Sequence, residues 1–171
     1  MSWRWLARAR VPLGFACGAL VLWLAAPTRR SLALGAPVAI AGEALRVWAA
    51  GHLEKNREVT ASGPYRYLQH PLYAGSALMG LGLALASAHA AVAAIVATYV
   101  AITFSAAVRT ERRFLAERFG ETYVSYREGR ASVERRFSWD RVWRNHEYRA
   151  MLGVALVIAI LLCELVLRPP A

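Results

Sequence analysis

Ser62-Gly63-Pro64-Tyr65-Arg66-Tyr67-Leu68-Gln69-His70-Pro71-Leu72-Tyr73-Ala74-Gly75 packs three tyrosines, a histidine, two prolines and two glycines into fourteen residues. Gly63-Pro64 predicts a tight turn, and Pro71 suits the first residue of a helix, where its missing N–H costs nothing. The apolar run from Leu72 to Ala86 follows at once. A rigid polar-aromatic loop therefore sits where a membrane helix begins, as the wall of a pocket at the membrane–water boundary would.

The rest of the chain repeats that alternation of apolar blocks and basic segments. It has 171 residues, 57% of them hydrophobic, in blocks that approach the roughly 20 residues a helix needs to cross a bilayer. The net charge of +10 is nearly all arginine, and it flanks the apolar blocks, so anionic lipid headgroups are its expected counterions and nucleic acid is not. Cys17 and Cys163 fall inside apolar blocks and read as packing residues, with neither a disulfide nor a metal site expected.

Taken in order, Val11 to Ala26 predicts a first helix, with Gly14 and Gly18 as a small-residue pair suited to close packing. Pro27 to Arg30 predicts a turn, and Ser31 the N-cap of a second helix reaching about Gly51. Glu43 and Arg46 share one face of that helix and read as a neutralising pair that locks packing, with a place in the site as the alternative. A third helix starts at Pro71, and a fourth returns from about Ala90 to Val108 after a very short turn at Ser87-Ala88-His89. Arg109 to Glu128 is charged and amphipathic, with Phe114, Leu115, Phe119, Tyr123 and Tyr126 as a stripe and Gly120 as a bend. Arg130 to Arg149 mixes arginine with Phe137, Trp139, Trp143 and Tyr148, the composition of an interfacial helix, before a last apolar block from Met151 to Leu167.

Lysine and arginine counts orient the chain. The N-terminus, the loop 52–70 and the segment 109–149 collect most of the basic residues, eleven arginines lying between 109 and 149, against Arg29, Arg30 and Arg168 opposite. The basic side is expected to be cytoplasmic. The expectation is one all-α integral membrane domain over residues 1–171, with about five transmembrane helices. Residues 52–75 and 109–127 line its cytoplasmic pocket.

Soluble-enzyme signatures are missing. Gly80-Leu81-Gly82 resembles half a dinucleotide fingerprint but lies mid-span with no preceding strand, and no metal-ligand spacing occurs. Each candidate also has a plain structural explanation. His70 suits a helix cap, Tyr65, Tyr67 and Tyr73 an interfacial aromatic belt, and Glu111 a solvated helix charge.

Gly63-Pro64-Tyr65-Arg66-Tyr67 with His70-Pro71-Leu72-Tyr73-Ala74-Gly75 resembles the GPYRxxRHPxYxG signature of membrane methyltransferases. These are the isoprenylcysteine carboxyl methyltransferases and phospholipid N-methyltransferases. Glu111-Arg112-Arg113-Phe114-Leu115, then Phe119-Gly120-Glu121-Thr122-Tyr123 and Tyr126, resembles the second half of that signature at the right spacing. The likeness covers roughly residues 46–127, leaving residues 130–168 as an interfacial segment and an added helix.

The resemblance implies S-adenosylmethionine bound at the cytoplasmic face and a lipophilic acceptor reaching it from the bilayer. It implies cofactor contacts from Arg57, Glu58, Val59 and Thr60, from Tyr65, from His70, Pro71, Leu72 and Tyr73, and from Glu111. His70, Glu111 and Arg109 are its catalytic candidates, Arg109 on the acceptor side. Gln69 stands where the family has arginine and Arg112 where a second glutamate is usual, which predicts a rearranged pair. Carboxylate O-methylation is the favoured reaction, N- or S-methylation the variants, and a non-catalytic membrane scaffold the alternative. A bacterial inner membrane is the expected location.

Overall fold

The computed structural model describes residues 16, 18–55, 57–130 and 135–167. Five named helices follow a helical stretch at residues 18–24: α1 (Arg29–His52), α2 (Pro71–Ser87), α3 (Ala90–Arg127), α4 (Trp139–Arg144) and α5 (Tyr148–Leu167). A 3-10 turn, Gly63–Arg66, lies between α1 and α2, and no strand occurs among the described residues.

α1, α3 and α5 are long and apolar enough to cross a membrane. Helices of that length and composition fit a membrane protein. Among the described residues three helices are clear spans, and the two others of the expected five are α2 and the first apolar block. α2 has 17 residues, about 26 Å at the helical rise, a little short of the hydrocarbon thickness. Residues 11–15 and 17 of the first expected helix, Gly14 and Cys17 among them, lie outside the described residues.

α1 begins two residues before its expected cap. Thr28 is the N-cap: its hydroxyl accepts from Ser31 N–H at 3.0 Å, while Ser31 Oγ accepts from Thr28 N–H at 2.9 Å. Ser31 is thus the reciprocal partner in a capping box. Its hydroxyl also donates to the Ala86 carbonyl of α2 at 2.9 Å, which ties the two helices at that end.

α1 and α2 touch backbone to backbone. A Cβ on Gly42 would lie 2.6 Å from the Gly75 carbonyl oxygen, and one on Gly82 would lie 2.7 Å from that of Gly35. One on Gly35 would meet the Ala86 backbone. Gly35, Ala39 and Gly42 recur at turn spacing on α1 and meet Gly75, Met79, Gly82 and Ala86 on α2. In lipid, where burial gives helices no hydrophobic reason to associate, such close approach supplies the packing. The seam is therefore here; a Cβ on Gly18 would meet nothing within 4 Å. The Gly80-Leu81-Gly82 run is explained too, since Gly80 meets Val96 of α3.

The α2–α3 hairpin closes within Ala88 and His89, Ala88 taking a left-handed conformation at φ 52°. α3 then runs unbroken through the expected boundary at 108. Its one departure from helical geometry is Gly120, at φ 46° and ψ −121°, where the sequence predicts a bend. α5 packs back on the bundle, Leu161 joining Ala25, Leu32 and Ala86 in a buried cluster.

The basic segment forms a much shorter helix than its composition suggests, because its donors cap α1. Asn145 Nδ2 donates to the carbonyls of Ala50 and Leu53, both at 3.0 Å, and Arg141 Nε to Gly51 at 2.7 Å. These are the carbonyls a helix C-terminus leaves unpaired. Trp139 and Trp143 remain well exposed, as an interfacial position requires.

Replacing Gly82 by valine forces backbone against side chain and is expected to cost about 3 kcal/mol or more. Gly153→Ala, where a new Cβ meets nothing within 4 Å, is expected to be neutral. Thermal unfolding of the two purified variants in one detergent checks the seam. Equal stability would contradict it.

Candidate functional site

The site is built where the irregular loop between α1 and α2 meets the charged half of α3. Gly63 holds φ at +58°, a conformation glycine adopts without strain, and a Cβ there would strike the His52 ring at 2.6 Å. His52 Nδ1 pairs with Ser62 Oγ at 3.1 Å, and both residues are buried. Pro64 is buried as well, so the turn is pinned beneath the end of α1. The next fixing point comes from α3: the Tyr126 hydroxyl donates to the Tyr65 carbonyl at 2.9 Å.

His70 precedes α2 in the cap position, yet its side chain caps nothing. Its carbonyl takes the N–H groups of Tyr73 and Ala74, each at 3.1 Å, which leaves the ring free to face α3. Nδ1 lies 3.3 Å from Glu111 Oε2, and Nε2 accepts from Arg112 Nε at 3.4 Å. These partners select the tautomer protonated at Nδ1, donating to the carboxylate and accepting from the guanidinium. The plain capping explanation for His70 is thereby set aside.

Arg112 also donates to Gln69 Oε1 at 3.3 Å. The two positions that depart from the family signature thus face each other, one now an amide and the other a cation. Loop and helix are thus joined by a guanidinium-to-amide hydrogen bond. Arg112 consequently adds positive charge beside His70 instead of a second carboxylate.

Tyr73 carries the aromatic wall. Its ring lies 5.9 Å from that of His70 and 5.3 Å from that of Phe104, both tilted. Burial, and after it the Glu111 carboxylate, pushes the Tyr65 phenol well above its usual range, so Tyr65 is a neutral phenol. The Glu111 side chain keeps 42% of its surface exposed, against 13% for that of His70. Its carboxylate can reach a ligand as well as the imidazole.

The loop 57–60 makes a different set of contacts. Arg57 is exposed and lies 4.0 Å from Glu54, while Glu58 holds Arg135 at 2.8 Å. Val59 and Thr60 are buried. Arg109 is exposed on α3, two residues before Glu111. Pro71 and Leu72 open α2, and the Leu72 carbonyl accepts from Ser76 Oγ at 2.9 Å. His70, Tyr73 and Glu111 are therefore brought together, whereas Glu58 pairs with Arg135, and Arg57 and Thr60 with Glu54.

An open polar cavity of about 230 Å³ beside Arg57, Glu54 and Arg144 contains neither His70 nor Glu111. The site at His70 is a separate surface from that cavity. The Gln69–Arg112 contact belongs to it and fits the rearranged pair expected there, whereas Phe104 belongs to it and was unread in the sequence. Phe104 lies in an apolar run with no polar neighbour to mark it.

Residues 10–122 match the model of the phospholipid methyltransferase family, and the chain belongs to that family. The matched region takes in α1, the turn, α2 and α3 through Glu111. Similarity also extends to two curated bacterial proteins. The cobalt-zinc-cadmium resistance protein CzcN of Cupriavidus metallidurans is 40% identical over 90 residues, 52% of this chain and 40% of that protein. The nickel-cobalt-cadmium resistance protein NccN of Alcaligenes xylosoxydans xylosoxydans is 31% identical over 101 residues, 58% of this chain and 46% of that protein. The aligned region thus spans less than half the length of either relative. No solved structure matches the chain.

The Gln69–Arg112 contact is testable by exchange. Gln69→Arg alone sets like charges together, Arg112→Glu alone sets a second acid beside Glu111, and the double variant creates an ion pair. The double variant is expected to recover about 0.5 to 1 kcal/mol relative to the sum of the single changes. Additive thermal shifts would mean that the two side chains do not meet.

Proposed function

We propose that this member of the phospholipid methyltransferase family is an S-adenosylmethionine-dependent methyltransferase acting on a lipophilic acceptor. The observation that carries this reading is the meeting of His70, its ring beside that of Tyr73, with Glu111, two halves of one motif 41 residues apart. The donor set fits the cofactor's chemistry. A sulfonium cation is favoured by the faces of aromatic rings and by a carboxylate, which Tyr65, Tyr73, Phe104 and Glu111 supply. Arg57 to Thr60 would hold the cofactor's remaining parts at the loop.

When bound, the cofactor supplies an electrophilic methyl group, whose bond to sulfur breaks as its bond to the acceptor forms. The chain's part is to align and to shield. Glu111 and the rings of Tyr65 and Tyr73 orient the cationic end, and Pro71 and Leu72 place it at the start of α2. His70, held between Glu111 and Arg112, fixes the direction in which that carboxylate points. Arg109 and Arg112 favour an anionic acceptor, so carboxylate O-methylation is the preferred reaction. Such an acceptor requires no general base, only in-line placement and exclusion of water. We place the site and the N-terminus on the cytoplasmic side of a bacterial inner membrane, following the arginine distribution.

A second reading is a membrane scaffold that retains the fold without catalysis, and the exchange at Gln69 and Arg112 favours it. The metal-resistance names of CzcN and NccN belong to those proteins. Among the described residues no three histidine, cysteine, aspartate or glutamate side chains form a set suited to a metal ion. A part for this chain in metal resistance would then run through methylation of another membrane component.

The test is transfer of a labelled methyl group from S-adenosylmethionine into a bacterial lipid extract by the purified protein. Wild type is expected to label a chloroform-soluble product, and Glu111→Gln to lower kcat/KM about a hundredfold. Because a carboxylate is ionised above about pH 6, the rate is expected to be flat from there to pH 9. A rate climbing through that range would indicate an amine or thiol acceptor. No transfer by well-folded wild type would support the scaffold.

A further inference from the structure

A second feature lies apart from the His70 cluster. An open groove of about 420 Å³ runs between α1, α5 and the residues just before α4, a size typical of small-molecule sites. Val47, Trp48, Phe137, Met151 and Val154 line it, and the one polar lining residue is Glu43. Glu43 is only 7% exposed, and neither carboxylate oxygen finds a hydrogen-bond donor among the described residues.

The nearest cation does not remove that deficit. Arg46 is drawn to Glu147 at 2.6 Å and to Ser76 Oγ, leaving its Nε 3.6 Å from Glu43 Oε2. A small shift of the guanidinium would serve Oε2 and still leave Oε1 without a donor. A buried carboxylate lacking donors costs several kcal/mol, so an outside donor reaching this groove is favoured.

The groove's position decides what that donor is. α1 and α5 are both candidate spans, and Trp48 and Met151 are 42% and 38% exposed, so the groove opens sideways toward lipid. Glu43 lies nine residues before the end of α1, about 13 Å along the helix. An ammonium or phosphate headgroup is expensive at such depth, whereas a hydroxyl is not. We propose that the groove binds a lipophilic alcohol or phenol from the bilayer, its hydroxyl donating to Glu43 and its hydrocarbon part lying along Val47, Met151 and Val154. This binding is independent of methyl transfer and stands or falls without it.

The experiment uses the full chain in lipid nanodiscs and a photoreactive alkylphenol, with 4-nonylphenol and its methyl ether as competitors. Labelling is expected within α1 and α5, and the phenol is expected to compete at least tenfold better than the ether, which has no donor. Glu43→Leu should reduce that preference to less than twofold. Should that variant fail to fold, Ala44→Trp keeps Glu43, fills the groove and should abolish labelling. Equal competition by the ether would overturn the proposal, as would label spread evenly over all lipid-facing helices. A dimer that must dissociate before labelling would also overturn it, by giving the groove to a second copy of the chain.

Discussion

Contact between the backbones of α1 and α2 is the constraint on which the rest depends. Gly42 and Gly82 sit where any side chain would collide with main-chain atoms of the other helix. That contact fixes how α2 lies against α1, and hence where Pro71 starts α2 and where His70 points. The polar ties follow from the same approach. Ser31 reaches the Ala86 carbonyl at one end, and Arg46 reaches Ser76 and the Leu72 carbonyl near the other. Because lipid offers such a pair little hydrophobic gain, shape and these few polar ties carry the packing.

The charged end of the bundle is organised by arginines that serve backbone and carboxylate together. Arg46 joins α1 to α2 and, through Glu147, to the start of α5. Glu54 gathers Arg135, Arg141 and Arg144 within 3.8 Å. These contacts close the C-terminal segment over the end of α1. The loop 62–70 is thereby held from both sides, by His52 beneath it and by Tyr126 of α3. A site on this surface is fixed by its supports.

Much of this was legible in the sequence. Gly63-Pro64 and His70-Pro71 locate the turn and the start of α2, because proline restricts the backbone whatever surrounds it. Gly120 announces the break in α3, and the paired motif halves point to the meeting of His70 and Glu111. The seam went unread because small residues recur in every apolar block, and spacing alone does not tell which pair faces another helix. Ser31 was misread as the cap since Thr28, the residue that serves, stands behind two arginines. Glu147 was unreadable as a partner of Arg46, as a contact between residues so far apart leaves no local pattern. The length of α4 was overstated because its polar side chains bond α1 and do not prolong a helix.

The central claim is that loop 62–73 and the charged half of α3 form one cofactor surface. Equilibrium binding of S-adenosylmethionine to the purified protein in nanodiscs tests it most directly, with wild type beside Glu111→Gln. Saturable binding by wild type, weakened at least about tenfold in the variant, is the expected result. A folded wild type that does not bind, or a variant that binds equally well, would contradict it.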